Sequence, residues 1–142
     1  MIIKTGIDVI EVSRIEENIK KFGETFLNRI YTAKEIEYCE SKKVQKYQSY
    51  AGRFAAKEAI FKAISESLDN KFDIEWKDIE VLNDKNGRPF VNFYGKLKEK
   101  FPTDLSNTEH QNIAKTNLFT IDLSISHVSQ LAVANAVVKM EV

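Results

Sequence analysis

The sequence is poor in the residues that crosslink or interrupt a fold. Its 142 residues include one cysteine, two prolines and five glycines. The single cysteine, Cys39, excludes an internal disulfide and any zinc site built from several cysteines. Neither histidine lies near Cys39 in the sequence, so we do not expect a cysteine nucleophile. The chemistry of this chain is expected from other side chains.

Long apolar runs are also absent. No run approaches the roughly 18 consecutive apolar residues that a membrane-spanning helix needs. The N-terminal residues lack the basic, then apolar, then small-residue order of a signal peptide. We therefore expect a soluble, cytoplasmic protein that contacts no membrane.

The chain has no excess of charge of either sign. Lys and Arg together number 21, as do Asp and Glu, so we expect no attraction for nucleic acid. The charge is nevertheless uneven, because six basic residues and a single acid, Glu58, lie between positions 42 and 62. Such a run is typical of a solvated helix face, and it is also what a local anion site requires. The composition leaves both interpretations open.

Apolar periodicity predicts one α+β domain over residues 1–142. The predicted helices are 13–22, 24–31, 32–42, 45–68 and 95–100. The predicted strands are 2–10, 79–82, 90–93, 119–126 and 131–140. Ser13 and Thr32 each begin a capping-box pattern that predicts a helix start. The segment 102–117 is polar and lacks periodicity, which predicts a mobile loop.

Within the helix predicted at 45–68, the stretch 53–63 carries charged side chains on a face lined with Ala and Phe. Glu58 and Lys62 are four residues apart, so their side chains point the same way from successive turns. Taken alone, Glu58 would be expected to form an ordinary ion pair with Lys62 or Lys57. On an apolar face, the same pair also suits a site for metal and phosphate.

Asp8 lies in a predicted strand, where a carboxylate is unusual. Alone, it would cap the next helix or face solvent. Together, Asp8 and Glu58 offer two oxygen ligands without a Cys or His cluster, which suits Mg²⁺. That ion takes one or two protein carboxylates and completes its coordination with water and substrate phosphate. Lys62 and Arg53 are then expected to meet the phosphates.

Three further residues lie at predicted turns. His127 is expected between the last two strands, where a lone histidine usually bonds to the backbone. Gly87 is expected to have a positive φ, and Pro89 to begin an edge strand. No Walker-type loop, HExxH or GxSxG motif occurs in the sequence. By themselves these residues indicate no ligand.

Four segments resemble the signatures of the holo-acyl-carrier-protein synthases, a family of 4′-phosphopantetheinyl transferases. They are GIDVIEVSRI at 6–15, GRFAAKEA at 52–59 followed by Lys62 and Ala63, IEV at 79–81 with GRP at 87–89, and SISH at 124–127. They follow the family's order and cover most of the chain, and the first two are specific. Position 128 departs from the pattern, because it is Val where we expect Thr.

The resemblance implies transfer of 4′-phosphopantetheine from coenzyme A to a serine of an acyl carrier protein. The by-product would be adenosine 3′,5′-bisphosphate, the metal would be magnesium, and the product would serve fatty acid biosynthesis. The implied fold is a small, mostly antiparallel sheet packed on a long central helix, with shorter helices around it. The implied assembly is a homotrimer with active sites between neighbouring subunits.

The resemblance also implies residue roles. It assigns magnesium to Asp8 and Glu58, and the phosphate to Lys62. It implies that the coenzyme A nucleotide is bound by Arg53, Gly87, Pro89 and His127. It implies that the acidic carrier protein is bound by Arg14, Ile15 and Lys21. We expect Glu58, directly or through a metal-bound water, to accept the serine proton while Lys62 steadies the departing phosphate.

Two other functions stay open at this point. A magnesium-dependent nucleotide or pyrophosphate hydrolase could use the same carboxylates, but it would need no carrier protein. A non-catalytic module could bind an acidic partner through Arg14, Lys20 and Lys21, although acidic residues alternate with these bases. Such a module would tolerate the loss of Asp8, whereas either enzyme would not.

Overall fold

The computed structural model describes residues 1–101 and 119–141. Its strands are β1 (Ile2–Glu11), β2 (Ile79–Asn83), β3 (Pro89–Phe93), β4 (Phe119–His127) and β5 (Leu131–Met140). They form a three-stranded sheet of order β1-β5-β4 and a separate two-stranded sheet of β2 and β3, both antiparallel. In the larger sheet, Asp8 pairs with Ala134 of the central strand, which places it well inside the ladder.

Five α-helices complete the described fold. They are α1 (Val12–Phe22), α2 (Glu24–Ile30), α3 (Ala33–Glu40), α4 (Lys46–Ile64) and α5 (Gly95–Lys100). Short 3₁₀ turns flank α4 and precede β2. Within residues 1–101 and 119–141, no helix is both long enough and apolar enough to cross a membrane. The predicted α+β class is confirmed, with a long helix against antiparallel strands.

Helix α4 lies against one face of the three-stranded sheet, and small side chains on both surfaces allow a close approach. Ala55, Ala59 and Ala63 of α4 are buried against alanines of β5 in the main core cluster. Gly6 of β1 allows the closest approach, since a Cβ atom there would lie 1.8 Å from the carbonyl oxygen of Ala59. No side chain fits in that space, so a glycine is required at position 6. This contact brings β1, and Asp8 on it, next to α4.

A buried ion pair holds α4 from its other side. The Lys57 ammonium donates to Glu35 Oε1 at 2.7 Å, and both side chains are 0% exposed. Lys57 also donates to the carbonyl oxygen of Trp76, in the 3₁₀ turn before β2, and to that of Ile79, the first residue of β2. Glu35 Oε2 accepts the backbone N–H of Val81 at 3.0 Å. The pair therefore joins α3, α4 and β2 through a fully hydrogen-bonded network.

The fold must offset the free-energy cost of burying the Lys57 ammonium. Burial lowers the pKa of Lys57, and the neighbouring Glu35 carboxylate opposes that effect by its charge and its hydrogen bond. A buried ammonium is costly unless it is both paired and hydrogen-bonded, as this one is. The structure thus corrects the interpretation of the basic run as a solvated face, because Lys57 and Arg53 are buried.

The predicted helix starts differ in outcome. The capping box at Thr32 and Glu35 is confirmed, with both reciprocal hydrogen bonds present. The prediction that Ser13 caps α1 is wrong, because α1 begins at Val12 and has no side-chain cap. The Val12 N–H instead donates to the Gln130 carbonyl at 2.8 Å, a contact from the distant β4–β5 turn. A long-range bond therefore replaces the local one.

Other predicted boundaries hold with small shifts. The long helix predicted to reach residue 68 ends at Ile64 and continues as a 3₁₀ turn, Ser65–Ser67. Gly87 has a φ of 83°, as the hairpin turn requires, and Pro89 begins β3. The mobile loop predicted at 102–117 lies outside the described residues.

Cys39 is a core residue of α3. It is 0% exposed, and its sulfur accepts a hydrogen bond from the Ser49 hydroxyl at 3.3 Å. Burial raises the pKa of the Cys39 thiol to about 11, although the Arg53 charge and the Ser49 hydrogen bond oppose the shift. The reactive thiolate is therefore disfavoured near neutral pH.

Lys57→Met should destabilise the fold by about 3–5 kcal/mol, because it leaves the Glu35 carboxylate buried without its counter-charge. Urea unfolding followed by circular dichroism measures the loss. The double variant Lys57→Met/Glu35→Gln should recover much of it, since no buried charge is left. A single variant as stable as the parent would show that the pair does not hold these elements together.

Candidate active site

Three of the predicted site residues come together where β1 meets α4. The Lys62 ammonium donates to the Ile7 carbonyl at 2.9 Å and contacts Asp8 Oδ1 at 3.3 Å. Glu58 lies one turn before Lys62 on α4 and is partly buried. Burial raises the pKa of Glu58, the negative charge of Asp8 raises it further, and the positive charge of Lys62 opposes both. The two carboxylates therefore repel each other, and the charge of Lys62 offsets part of that repulsion.

This carboxylate pair has the composition of a site for a hard cation. Asp8 and Glu58 carry two negative charges against the single positive charge of Lys62, so the group has unbalanced negative charge. Among the residues that the structure describes, no group of three or more His, Cys, Asp or Glu side chains is placed to hold a metal ion. A cation bound by Asp8 and Glu58 would need further oxygen ligands from water or substrate. Mg²⁺ typically binds in that way.

A cavity of about 240 Å³ opens beside the N-terminal half of α4. Its lining includes Arg53, Gly87, Pro89 and His127, the four residues predicted to surround a nucleotide. Lys42 joins them, and no Asp or Glu is present among the lining residues of the described chain. The cavity is thus cationic and open to an anionic ligand. Lys62 does not line it, nor do Asp8 and Glu58.

Arg53 is a buried cation of this cavity. Its guanidinium carbon lies 3.9 Å from the centre of the Tyr38 ring, and the side chain is 4% exposed. Arg53 Nη1 donates to the Ser49 hydroxyl at 3.4 Å, and Nη2 donates to the Asn83 side-chain oxygen. Neither of these partners is acidic, and within the described residues Arg53 Nε has no hydrogen-bond partner. A buried guanidinium with neutral partners retains its charge for a ligand.

The sequence analysis missed Tyr38, Ser49 and Asn83. All three act by holding Arg53, and none belongs to a pattern with its own chemistry. Lys42 was visible only as part of the basic run, and its ammonium lies 4.7 Å from the centre of the Tyr38 ring. The signal that could have found Tyr38 is the Arg53 prediction itself, since a planar guanidinium favours an aromatic face.

His127 and Ile15 need correction. His127 is the exposed last residue of β4 rather than a residue of the turn that follows. Ile15 was expected to contact a carrier protein, but it is 1% exposed and packs in a core cluster that includes Ile30 and Tyr50. Its side chain is therefore not available to a partner in this structure. Arg14 and Lys21 are exposed on α1, as the prediction requires.

Comparison with known proteins gives a consistent family. Residues 4–121 match the model of the 4′-phosphopantetheinyl transferase superfamily. A holo-[acyl-carrier-protein] synthase of Ruminiclostridium cellulolyticum is 40% identical over 135 residues, covering 95% of this chain and 90% of that protein. The holo-[acyl-carrier-protein] synthase of Caldicellulosiruptor saccharolyticus is 42% identical over 141 residues, covering 99% of each.

Solved structures agree with the sequence matches. A holo-(acyl-carrier-protein) synthase from Bacillus anthracis in complex with CoA (3′,5′-ADP) is 31% identical, with a TM-score of 0.69. That match covers 97% of this chain and 96% of the other. The Chronobacterium ammoniagenes ACPS-CoA complex has a TM-score of 0.77 with full coverage of both chains, and at 23% identity it supports the fold alone. The chain therefore belongs to the 4′-phosphopantetheinyl transferase superfamily, and within it to the holo-[acyl-carrier-protein] synthases.

Proposed function

We propose that this chain transfers 4′-phosphopantetheine from coenzyme A to a serine of an apo acyl carrier protein, with magnesium, for fatty acid biosynthesis. The products are holo acyl carrier protein and adenosine 3′,5′-bisphosphate. One observation carries the proposal: α4 bears both Arg53 in the cationic cavity and Glu58 beside Asp8. A ligand with a nucleotide at one end and a pyrophosphate within it matches that arrangement. The names of the relatives point to the same reaction.

The cavity would bind the nucleotide end of coenzyme A. Arg53 and Lys42 supply two positive charges to its phosphates, and no carboxylate of the described lining competes for them. Because Arg53 is already stacked on Tyr38 and bonded to Asn83, little side-chain entropy is lost when an anion arrives. Gly87 and Pro89 form the wall contributed by the hairpin turn, and they present backbone rather than charge.

The reaction would occur beside Glu58. The serine hydroxyl oxygen attacks the phosphorus next to pantetheine, and the bond from that phosphorus to the oxygen of the adenosine 5′-phosphate breaks. Glu58 accepts the serine proton. Lys62 stabilises the negative charge on the departing phosphate. Asp8 and Glu58 would hold Mg²⁺, which when bound neutralises charge on the pyrophosphate oxygens.

The carrier protein would dock on α1. Arg14 and Lys21 are exposed on this helix, and acyl carrier proteins are acidic partners. Lys20 is less available, because it pairs with Glu16 at 3.0 Å. A docking surface of this kind raises the rate of encounter more than it raises affinity.

Residues 1–142 would act as one catalytic domain.

A sheet face that no helix of the described residues covers supports the proposal of a homotrimer with active sites between subunits. Helix α4 covers one face of the three-stranded sheet, and the other face exposes large apolar side chains. They are Ile3, Ile7, Val9, Leu131 and Val137, between 40% and 63% exposed. Contiguous apolar surface of this kind commonly marks a protein interface. Successive side chains of a strand point to opposite faces, so Asp8 lies on the face that α4 covers, while Ile7 and Val9 beside it lie on the apolar face. A neighbouring chain on the apolar face would therefore reach the carboxylate pair around the edge strand β1.

The reaction is tested by the intact mass of an apo acyl carrier protein after incubation with this protein, magnesium and coenzyme A. We expect a gain equal to one phosphopantetheine group, and we expect a chelator to abolish it. Cleavage of coenzyme A without that gain would favour the hydrolase instead. A gain that persists unchanged in chelator would contradict the magnesium requirement.

Glu58→Gln should abolish transfer without loss of stability. Folding raises the pKa of Glu58. The contribution of Glu58 to the free energy of unfolding is therefore fully present below its unfolded pKa of about 4.3, and it is lost as the pH rises through the folded pKa. At pH 7 the wild-type carboxylate is therefore unfavourable, and the variant should melt at the same or a higher temperature. Calorimetry at pH 7 and a transfer assay measure both effects.

Glu66→Gln is the matched control for stability. Glu66 is exposed and accepts a hydrogen bond from the Lys4 ammonium at 2.6 Å, which lowers the pKa of Glu66. The contribution of Glu66 to stability depends on pH in the opposite direction from that of Glu58, since it is present above the unfolded pKa and is lost as the pH falls. This control should transfer normally and melt at the same or a slightly lower temperature. Wild-type turnover by Glu58→Gln would refute the role assigned to Glu58.

Val9→Lys should weaken the proposed trimer, because it places a charge on the apolar sheet face. Val9 is 62% exposed in the single chain, so the substitution does not disturb the core. Val128→Lys is the control, since Val128 is 59% exposed but lies in the turn after β4. Light scattering should give about three times the 16.3 kDa chain mass for wild type and control, and less for Val9→Lys. A wild-type mass of one chain would rule out the trimer.

A further inference from the structure

The cavity has two walls that belong to different sheets. Gly87 and Pro89, at the β2–β3 turn, form one wall, and Ile125 and His127 of β4 form another. The described strands place β3 and β4 in separate sheets, so no strand pairing fixes the distance between these walls. At the far end of the hairpin, the Phe93 and Phe119 rings pack with their centres 6.2 Å apart. The end beside the cavity must be held by side chains.

Two side-chain links hold that end. Asn83 joins the hairpin to α4, since it accepts from Arg53 and donates to the Gly87 carbonyl at 2.9 Å. Arg88 joins it to β4, since its Nη2 donates to Asp122 Oδ1 at 2.7 Å and to Oδ2 at 2.6 Å. Neither Arg88 nor Asp122 lines the cavity. Both therefore act on it from outside.

The turn is built to transmit the position of Arg88. Asp84 Oδ1 accepts the backbone N–H groups of Asn86 at 2.8 Å and Arg88 at 2.9 Å. The Asp84 N–H in turn donates to the Arg88 carbonyl at 2.9 Å. On β4, Asp122 Oδ1 also accepts the N–H of Leu123, which orients the carboxylate. A displacement of Arg88 would therefore carry Gly87 and its wall with it.

We propose that Arg88 and Asp122 are positioning residues that set the separation of the two cavity walls, and hence the affinity for the nucleotide end of coenzyme A. This inference rests on the function proposed above. Arg88 and Asp122 are 60% and 59% exposed, and exposed ion pairs are individually weak. The expected effect on binding is accordingly modest, about threefold to fivefold.

The charge of Asp122 makes the direction of the change in coenzyme A affinity informative. Coenzyme A is an anion, so removal of a nearby carboxylate should tighten its binding if charge alone mattered. Release of Arg88 toward the ligand would tighten it as well. If Asp122 instead positions the turn, Asp122→Asn must weaken binding in spite of the more positive field. The two explanations predict opposite directions.

The experiment measures the Kd of coenzyme A by calorimetry for wild type and Asp122→Asn, with KM and kcat from the transfer assay. We expect Kd and KM for coenzyme A to rise about threefold to fivefold, with kcat at saturating coenzyme A unchanged. Asp122→Glu keeps the carboxylate and should restore most of the affinity. Unchanged or tighter binding by Asp122→Asn would overturn the proposal.

Asp73→Asn is the matched control. Asp73 forms an exposed ion pair with Lys96 at 2.8 Å, and neither residue lines the cavity. Its substitution removes the same charge from the chain and should leave Kd unchanged. An equal loss of affinity in this control would overturn the positional argument.

Arg88→Lys gives a second route that does not depend on the folding of Asp122→Asn. Lysine keeps the positive charge but loses the planar guanidinium that meets both carboxylate oxygens. We expect weaker coenzyme A binding at an unchanged melting temperature, and wild-type affinity would count against the proposal. Failure of the wild type to bind coenzyme A would refute the proposed function itself. Normal binding by every variant would refute only the role of the ion pair.

Discussion

The buried ion pair of Lys57 and Glu35 is the interaction on which the rest of this structure depends. Lys57 points into the interior, and the next residue, Glu58, faces the site beside Asp8. Successive residues on a helix point about 100° apart, so an anchored Lys57 fixes the rotation of α4 about its axis. Both the direction of Glu58 and that of Arg53 follow from that rotation. The ammonium can be buried at this position because a carboxylate and two backbone carbonyls surround it.

Helix α4 also sets the spacing of the two regions that the function needs. Arg53 and Lys62 are nine residues apart on α4, which corresponds to roughly 14 Å along the helix axis. One region carries positive charge with no acid among its described lining residues, and the other carries paired carboxylates with one lysine. A single rigid element therefore determines where the nucleotide end of a ligand lies relative to its reacting end. Such sites are held more precisely on helices than on loops.

Local features of this chain could be predicted from sequence, and long-range partners could not. The capping box of Thr32 is complete within four residues, so its pattern was sufficient. Lys57 looked like any lysine of a basic run, because its partner lies 22 residues away and only the fold brings them together. Ile15 belongs to a recognised signature, but burial is a property of packing, and it removed this side chain from the surface. In the same way, the carboxylate pair could be suggested from residue types, whereas Tyr38 emerged only through its contact with Arg53.

The close approach of Gly6 to the Ala59 carbonyl has a consequence for how variants of this protein are interpreted. Any side chain at position 6 would push β1 away from α4, and Asp8 lies only two residues further along that strand. A substitution at Gly6 would thus separate Asp8 from Glu58 without altering either carboxylate. In a mutational scan scored by growth or turnover, position 6 would be indistinguishable from a metal ligand. Only a measurement of folding would show that the lesion is one of packing rather than of chemistry.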